Sequence, residues 1–163
     1  MMNQEMSNKE IAYKGVMVAD GYERIDGQSA FNSQVKRMTI GKPTCKENEN
    51  EKIAIQIWRE DEKGELYMET ELPIHQVLDM MIFFMQTLRH FREAYRLPAL
   101  YDAEHPEVAR IDVQGGSVPV AVDISNEKID EDLQEFSQAL IDLGDLTGER
   151  LRVLMKIMEE LSC

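Results

Sequence analysis

The sequence predicts an α+β fold: a small, mainly antiparallel sheet packed against a central helix and a C-terminal αα-hairpin. Three observations carry this. Ile53, Ile55 and Ile57 alternate with Ala54, Gln56 and Trp58, the period of a strand with one strongly apolar face. Ile74, Val77, Leu78, Met81, Ile82, Met85 and Leu88 recur at helical spacing, an arc wide enough to lie across a sheet. Two further helical stripes then follow one another at the C-terminal end.

Taken in order, residues 1–12 read as a disordered tail, and 13–163 as a single domain. Val16–Ala19 reads as a strand stopped by the Asp20-Gly21 step. A second Asp-Gly step, Asp26-Gly27, marks another turn, with irregular chain to about Phe31. Val35–Ile40 reads as a strand ended by Gly41 and Pro43, and Lys46–Glu51 as a flexible polar loop. The Ile53 strand pairs with Leu66, Tyr67 and Met68 as a hairpin, in which Gly64 takes the positive φ that a type I turn with a bulge needs.

Pro73 suits the first turn of the central helix, which runs to about Tyr95 before Pro98 ends it. A loop with Pro106 and Gly115-Gly116 leads to a strand over Val118–Ile124. Ile129, Leu133, Phe136, Leu140 and Leu143 form the first C-terminal stripe, with Glu127, Asp130, Glu131 and Asp132 favourably near its N-terminus. Gly144 suits its C-cap and Thr147 the N-cap of the last helix, whose stripe is Leu151, Leu154, Met155, Met158 and Leu161.

Charge excludes several functions. The net charge is −13, and residues 101–163 hold five basic against fifteen acidic groups. Such a surface repels phosphate backbones and anionic lipids, so neither nucleic acid nor membrane is an expected partner. No apolar run is long enough to span a bilayer, and the polar start MMNQEMSNKE lacks a secretory apolar core. Two cysteines, Cys45 and Cys163, give neither a redox nor a metal spacing. A cytoplasmic protein is the expectation.

The search for chemistry is mostly negative. Setting Gly27 at the glycine of a calcium loop puts Tyr22 and Arg24 at ligand positions and Ser33 where a bidentate Glu is required, so the match fails. His75, His90 and His105 have no zinc spacing; His75 and Asp79 lie one helical turn apart. No nucleophile elbow and no phosphate-cradling glycine pattern is present. No metal and no cofactor is therefore expected.

The stretches GYERIDGQSAFNS, ELPIHQVLDMM, EAYRLPALYD, NEKIDEDLQEF and GERLRVLMKIMEEL together resemble a small bacterial family of uncharacterised proteins, a domain of unknown function. The resemblance runs from about residue 14 to the end. It implies a single-domain bacterial cytosolic protein and supplies no activity, cofactor or catalytic residue.

A ligand site is nevertheless predicted. At about 100° per residue, Arg92 and Arg96 fall on the same side of the central helix as Leu78 and Met85, pointing inward at its C-terminal end. An inward guanidinium needs carboxylates, and Asp20, Glu23 and Asp26 are candidates. With Tyr95 or Tyr101 nearby, they would make a polar pocket, and DGYERIDG one wall of it. The predicted function is a non-catalytic cytosolic binding or protein-interaction protein. One alternative is a small hydrolase or lyase using the 20–26 carboxylates with Tyr95 or Arg96. Another is an acidic immunity-type or anti-nuclease protein that meets a basic partner. Phe83, nearly opposite the apolar arc of its helix, predicts a homodimer.

Overall fold

The computed structural model describes residues 15–27, 33–44 and 51–162. The expected tail, the stretch leading to Phe31 and nearly all of the expected Lys46–Glu51 loop lie outside them. Glu51, the loop's last residue, is buried. The chain divides into two compact units, Met1–Met80 and Met81–Cys163.

The first unit is a four-stranded antiparallel sheet in sequence order: β1 (Gly15–Asp20), β2 (Val35–Gly41), β3 (Ala54–Glu60) and β4 (Leu66–Pro73). The β3–β4 turn forms as expected, with Gly64 at φ 81°. Asp61 organises that turn, its carboxylate accepting from the Lys63 and Glu65 amides at 2.9 Å each.

The buried face of β3 is not the one that hydrophobicity selects. Ala54, Gln56 and Trp58 are buried, Ile55 and Ile57 are half-buried, and Ile53 is exposed. Register explains how a polar residue occupies the centre. Thr39, Gln56 and Glu71 stand directly opposite one another across β2, β3 and β4, so their side chains emerge in one row. Trp58 Nε1 donates to Thr39 Oγ1 at 2.9 Å, and Thr39 Oγ1 donates to Gln56 Oε1 at 2.9 Å. Gln56 Nε2 donates to Glu71 Oε2 at 3.0 Å, and the Thr44 amide and hydroxyl also donate to the carboxylate at 3.0–3.1 Å. An indole can only donate and a carboxylate can only accept, so every bond in the row runs toward Glu71. Gln56 is 0% exposed, and it is tolerated there because both ends of its amide are satisfied.

Helix α1 (Ile74–Glu93) starts directly after Pro73, its Ile74 amide donating to the Ile53 carbonyl at 3.0 Å, and carries the boundary between the units. Beyond Glu93 the chain tightens into two 3₁₀ turns, Ala94–Arg96 and Pro98–Leu100.

The rest of the second unit is a hairpin and two helices. The hairpin pairs β5 (Glu107–Val113) with β6 (Gly116–Ala121). The loop expected over the first of these strands is not observed, and the second begins two residues before the expected Val118. Pro119 is accommodated because a two-stranded ribbon leaves one side of each strand without ladder bonds. Helix α2 (Ile129–Asp142) carries Asp130, Glu131 and Asp132 in its first turn, as expected. Helix α3 (Gly144–Leu161) follows after Leu143 alone. The expected break at Gly144 and cap at Thr147 do not form. Gly144 is already helical, and the Thr147 hydroxyl donates back to the carbonyls of Leu143 and Gly144, at 3.0 and 3.3 Å. A threonine inside a first turn makes this backward bond in place of capping a free amide.

Candidate functional site

The predicted site residues fall into two groups. Asp20, Glu23 and Asp26 lie at the end of β1 and in the turn beyond it, where Gly21 and Gly27 both have positive φ, so both Asp-Gly steps are turns. Asp20 is held within the sheet. Arg37 on β2 donates to both of its oxygens at 3.2 Å, and the Gly21 amide donates to one of them at 3.2 Å. Arg37 holds the Asp20 carboxyl below its ordinary value, chiefly through that hydrogen bond. Glu23 and Asp26 are half-buried, and Glu23 Oε2 has no hydrogen-bond partner among the described residues.

The other group gathers where α1 ends. Arg96 lies over the ring of its neighbour Tyr95, with Cζ 5.6 Å from the centroid, and its Nε donates to the Tyr95 hydroxyl at 3.3 Å. The inward orientation expected for Arg92 and Arg96 is not observed: both are exposed. Arg96 escapes the helical count because α1 stops at Glu93 and the next turn is 3₁₀. Arg92 sits in the last turn of α1, where a cation favours solvent beside the free carbonyls.

Arg96 lines a cleft of about 270 Å³ with Arg89, His90, Glu93 and Gln86 from α1 and with Val108 and Ala109 from β5. Gln86 builds its wall. The amide Nε2 donates to the Arg110 carbonyl on β5 at 2.9 Å, and Oε1 accepts from the Arg89 guanidinium. The amide thereby ties helix to hairpin and aims a cation into the gap. Neither Arg89 nor Arg96 has an ion-pair partner among the described residues.

Beyond His90 and Val108, which line both spaces, lies a second groove of about 290 Å³, walled by Phe83, Phe91, Val120, Ile129, Leu133 and Phe136. The rings of Phe91 and Phe136 stand 5.1 Å apart, tilted at 60°, an arrangement that aromatic quadrupoles favour. Leu133 and Val120 form its buried floor. His90 is fixed between the two spaces. Its Nε2 is 3.1 Å from the Leu100 carbonyl, which can only accept, so Nε2 carries the hydrogen. Ala99 and Leu100 adopt φ of 55° and 68° to turn that carbonyl back onto the ring. Desolvation first, and then the nearby charge of Asp130 on α2, raises the phenol of the next residue, Tyr101, above its ordinary pKa.

The sequence singles out Tyr95 and Arg96 as ligand-site residues, of which Arg96 lines the cleft, and does not single out Arg89, His90 or the phenylalanine pair. Their opposing wall is the hairpin whose first strand lies where a loop is expected. Among the described residues no three His, Cys, Asp or Glu side chains are placed to hold a metal ion, and no helix is long and apolar enough to cross a membrane.

Fold and clefts together define an α+β protein with a cationic cleft and an apolar groove side by side in its second unit. The chain belongs to the family of unknown function DUF6530, whose model matches residues 5–163. No curated protein and no solved structure matches it.

Proposed function

We propose that the protein is a non-catalytic binding protein that associates through α3, and that its first partner is a second copy of itself. The observation that supports this is the apolar stripe of α3. Leu154, Met155, Met158 and Leu161 are 42%, 60%, 65% and 79% exposed. Leu151, Leu154, Met158 and Leu161 are spaced three, four and three residues apart, the seam spacing of helices that pack on a like helix. Such a seam is self-complementary, as a two-fold interface requires. Phe83 on α1, at 52% exposed, is a further exposed apolar residue.

Size-exclusion chromatography with light scattering tests this. The wild-type chain runs as a dimer, and Leu154→Glu with Met158→Glu runs as a monomer of unchanged helix content. A wild-type monomer at high concentration overturns the reading.

A basic protein partner is the second reading, and the exposed acidic groups Asp130, Glu131, Asp132 and Glu135 of α2 favour it. Binding of that kind weakens steeply with salt. The hydrolase or lyase reading has less support, because Asp20 is already engaged by Arg37.

A further inference from the structure

We infer that the paired clefts of the second unit bind a small amphipathic monoanion, an aliphatic or aryl carboxylate, with its apolar part on Phe91 and Phe136 and its charge between Arg89 and Arg96. Three features converge on this class. The first is charge. The chain carries −13 overall, yet Arg89 and Arg96 line one cleft without an ion-pair partner among the described residues. Glu93 lines the same cleft, so two cations and one carboxylate leave a single positive charge. One carboxylate neutralises it, whereas a dianion over-fills it.

The second feature is adjacency. The cationic cleft and the apolar groove share His90 and Val108 as lining residues. A ligand seated against the phenylalanines reaches the guanidinium groups by passing the imidazole edge. Neither half satisfies a ligand of one character: an inorganic anion leaves the groove empty, and a hydrocarbon leaves the arginines without a counter-charge.

The third is preorganisation. Gln86 holds Arg89, Tyr95 supports Arg96, and the Leu100 carbonyl fixes His90. The side chains that would meet the ligand are therefore already positioned, which lowers the entropic cost of binding.

Titration calorimetry with sodium octanoate, 1-octanol and sodium acetate, on the full chain, tests the assignment. Octanoate binds one-to-one and saturably. Octanol, which lacks the charge, and acetate, which lacks the chain, each bind at least about tenfold more weakly, since a charge-assisted hydrogen bond and a buried chain are each worth more than a factor of ten. Arg89→Gln combined with Arg96→Gln brings octanoate down to the octanol level and leaves octanol unchanged. Phe136→Ser weakens octanoate and octanol together. These side chains are solvent-accessible, so the variants keep the wild-type circular dichroism. Absence of saturable octanoate binding overturns the inference, as does octanol matching octanoate, or an arginine double variant that binds octanoate like the wild type. The dimer proposal stands or falls separately, because its test reads mass and not octanoate.

Discussion

The indole of Trp58 donates to the hydroxyl of Thr39 at 2.9 Å, and both residues are buried. Thr39→Val replaces the hydroxyl with a methyl group of similar shape and leaves the indole N–H and the Gln56 carbonyl without that partner. An unsatisfied buried polar group costs about 1–3 kcal/mol. The urea midpoint falls accordingly, and the emission of the protein's single tryptophan shifts. Thr39→Ser keeps the oxygen and loses less stability. Equal losses for the two variants would show that the hydroxyl bonds contribute nothing.

At the β3–β4 turn, Gly64 has φ 81°. A side chain added there meets only Glu60 Oε1, at 3.4 Å, so the cost of Gly64→Ala is conformational, about 1–2 kcal/mol. Gly64→Asn costs less, because asparagine tolerates the left-handed region. Denaturant titration of both variants decides, and Asn falling below Ala in stability would contradict it.

The Asp20–Arg37 pair sets an acid dependence. The Arg37 hydrogen bond is the largest cause of the depressed Asp20 pKa, aided by the charges of Arg37 and Arg24 and by the Gly21 amide, and opposed by desolvation. A depressed folded-state pKa contributes stability that is present above the unfolded carboxylate value and lost as pH falls through the folded one. In a carboxyl NMR titration Asp20 titrates below its ordinary value of 3.8, and Arg37→Gln moves it upward. Because the pair is exposed, Asp20→Asn lowers the neutral-pH midpoint less than Thr39→Val does.

Tyr101 behaves in the opposite sense. Desolvation first, then the charge and hydrogen bond of Asp130, raise its pKa above the ordinary 10.0. For a raised phenol, the stability contribution is present below the unfolded pKa and is lost as pH rises through the folded one. Absorbance at alkaline pH shows one tyrosine titrating late. Asp130→Asn brings it part of the way back, since desolvation remains. Tyr101→Phe removes the late step, and its persistence in that variant would reassign it.

The elements with a local signature were legible in the sequence. Gly64 announced its turn, the two Asp-Gly steps proved to be turns, and the helical periodicity after Pro73 located α1. What required register was not legible. Thr39, Gln56 and Glu71 are far apart in sequence and ordinary in type, and only strand pairing makes them a row. Hydrophobicity therefore favoured the isoleucine face of β3 over the face that is buried. Strand β5 was missed because Ala109 blunts its alternation and Pro106 before it reads as loop. With β5 went the wall that turns Arg89 and His90 into cleft residues. Tyr95 and Arg96 were reached through the helix end, although the helical count that aimed Arg92 and Arg96 inward failed where α1 gives way to 3₁₀ turns.

The boundary between the two compact units falls between Met80 and Met81, in the middle of a continuous helix. Cutting there would leave seven helical residues (74–80) on one fragment and thirteen (81–93) on the other. Helices shorter than about 12–15 residues are marginal in water. Each remainder would then rest on contacts within its own unit, such as the Ile74 amide to the Ile53 carbonyl in one fragment, and Gln86 to Arg110 and Phe91 against Phe136 in the other. Melting of either unit likewise strips support from its own share, seven or thirteen residues, of one backbone ladder. A cut between Met80 and Met81 therefore shortens the helix in both fragments.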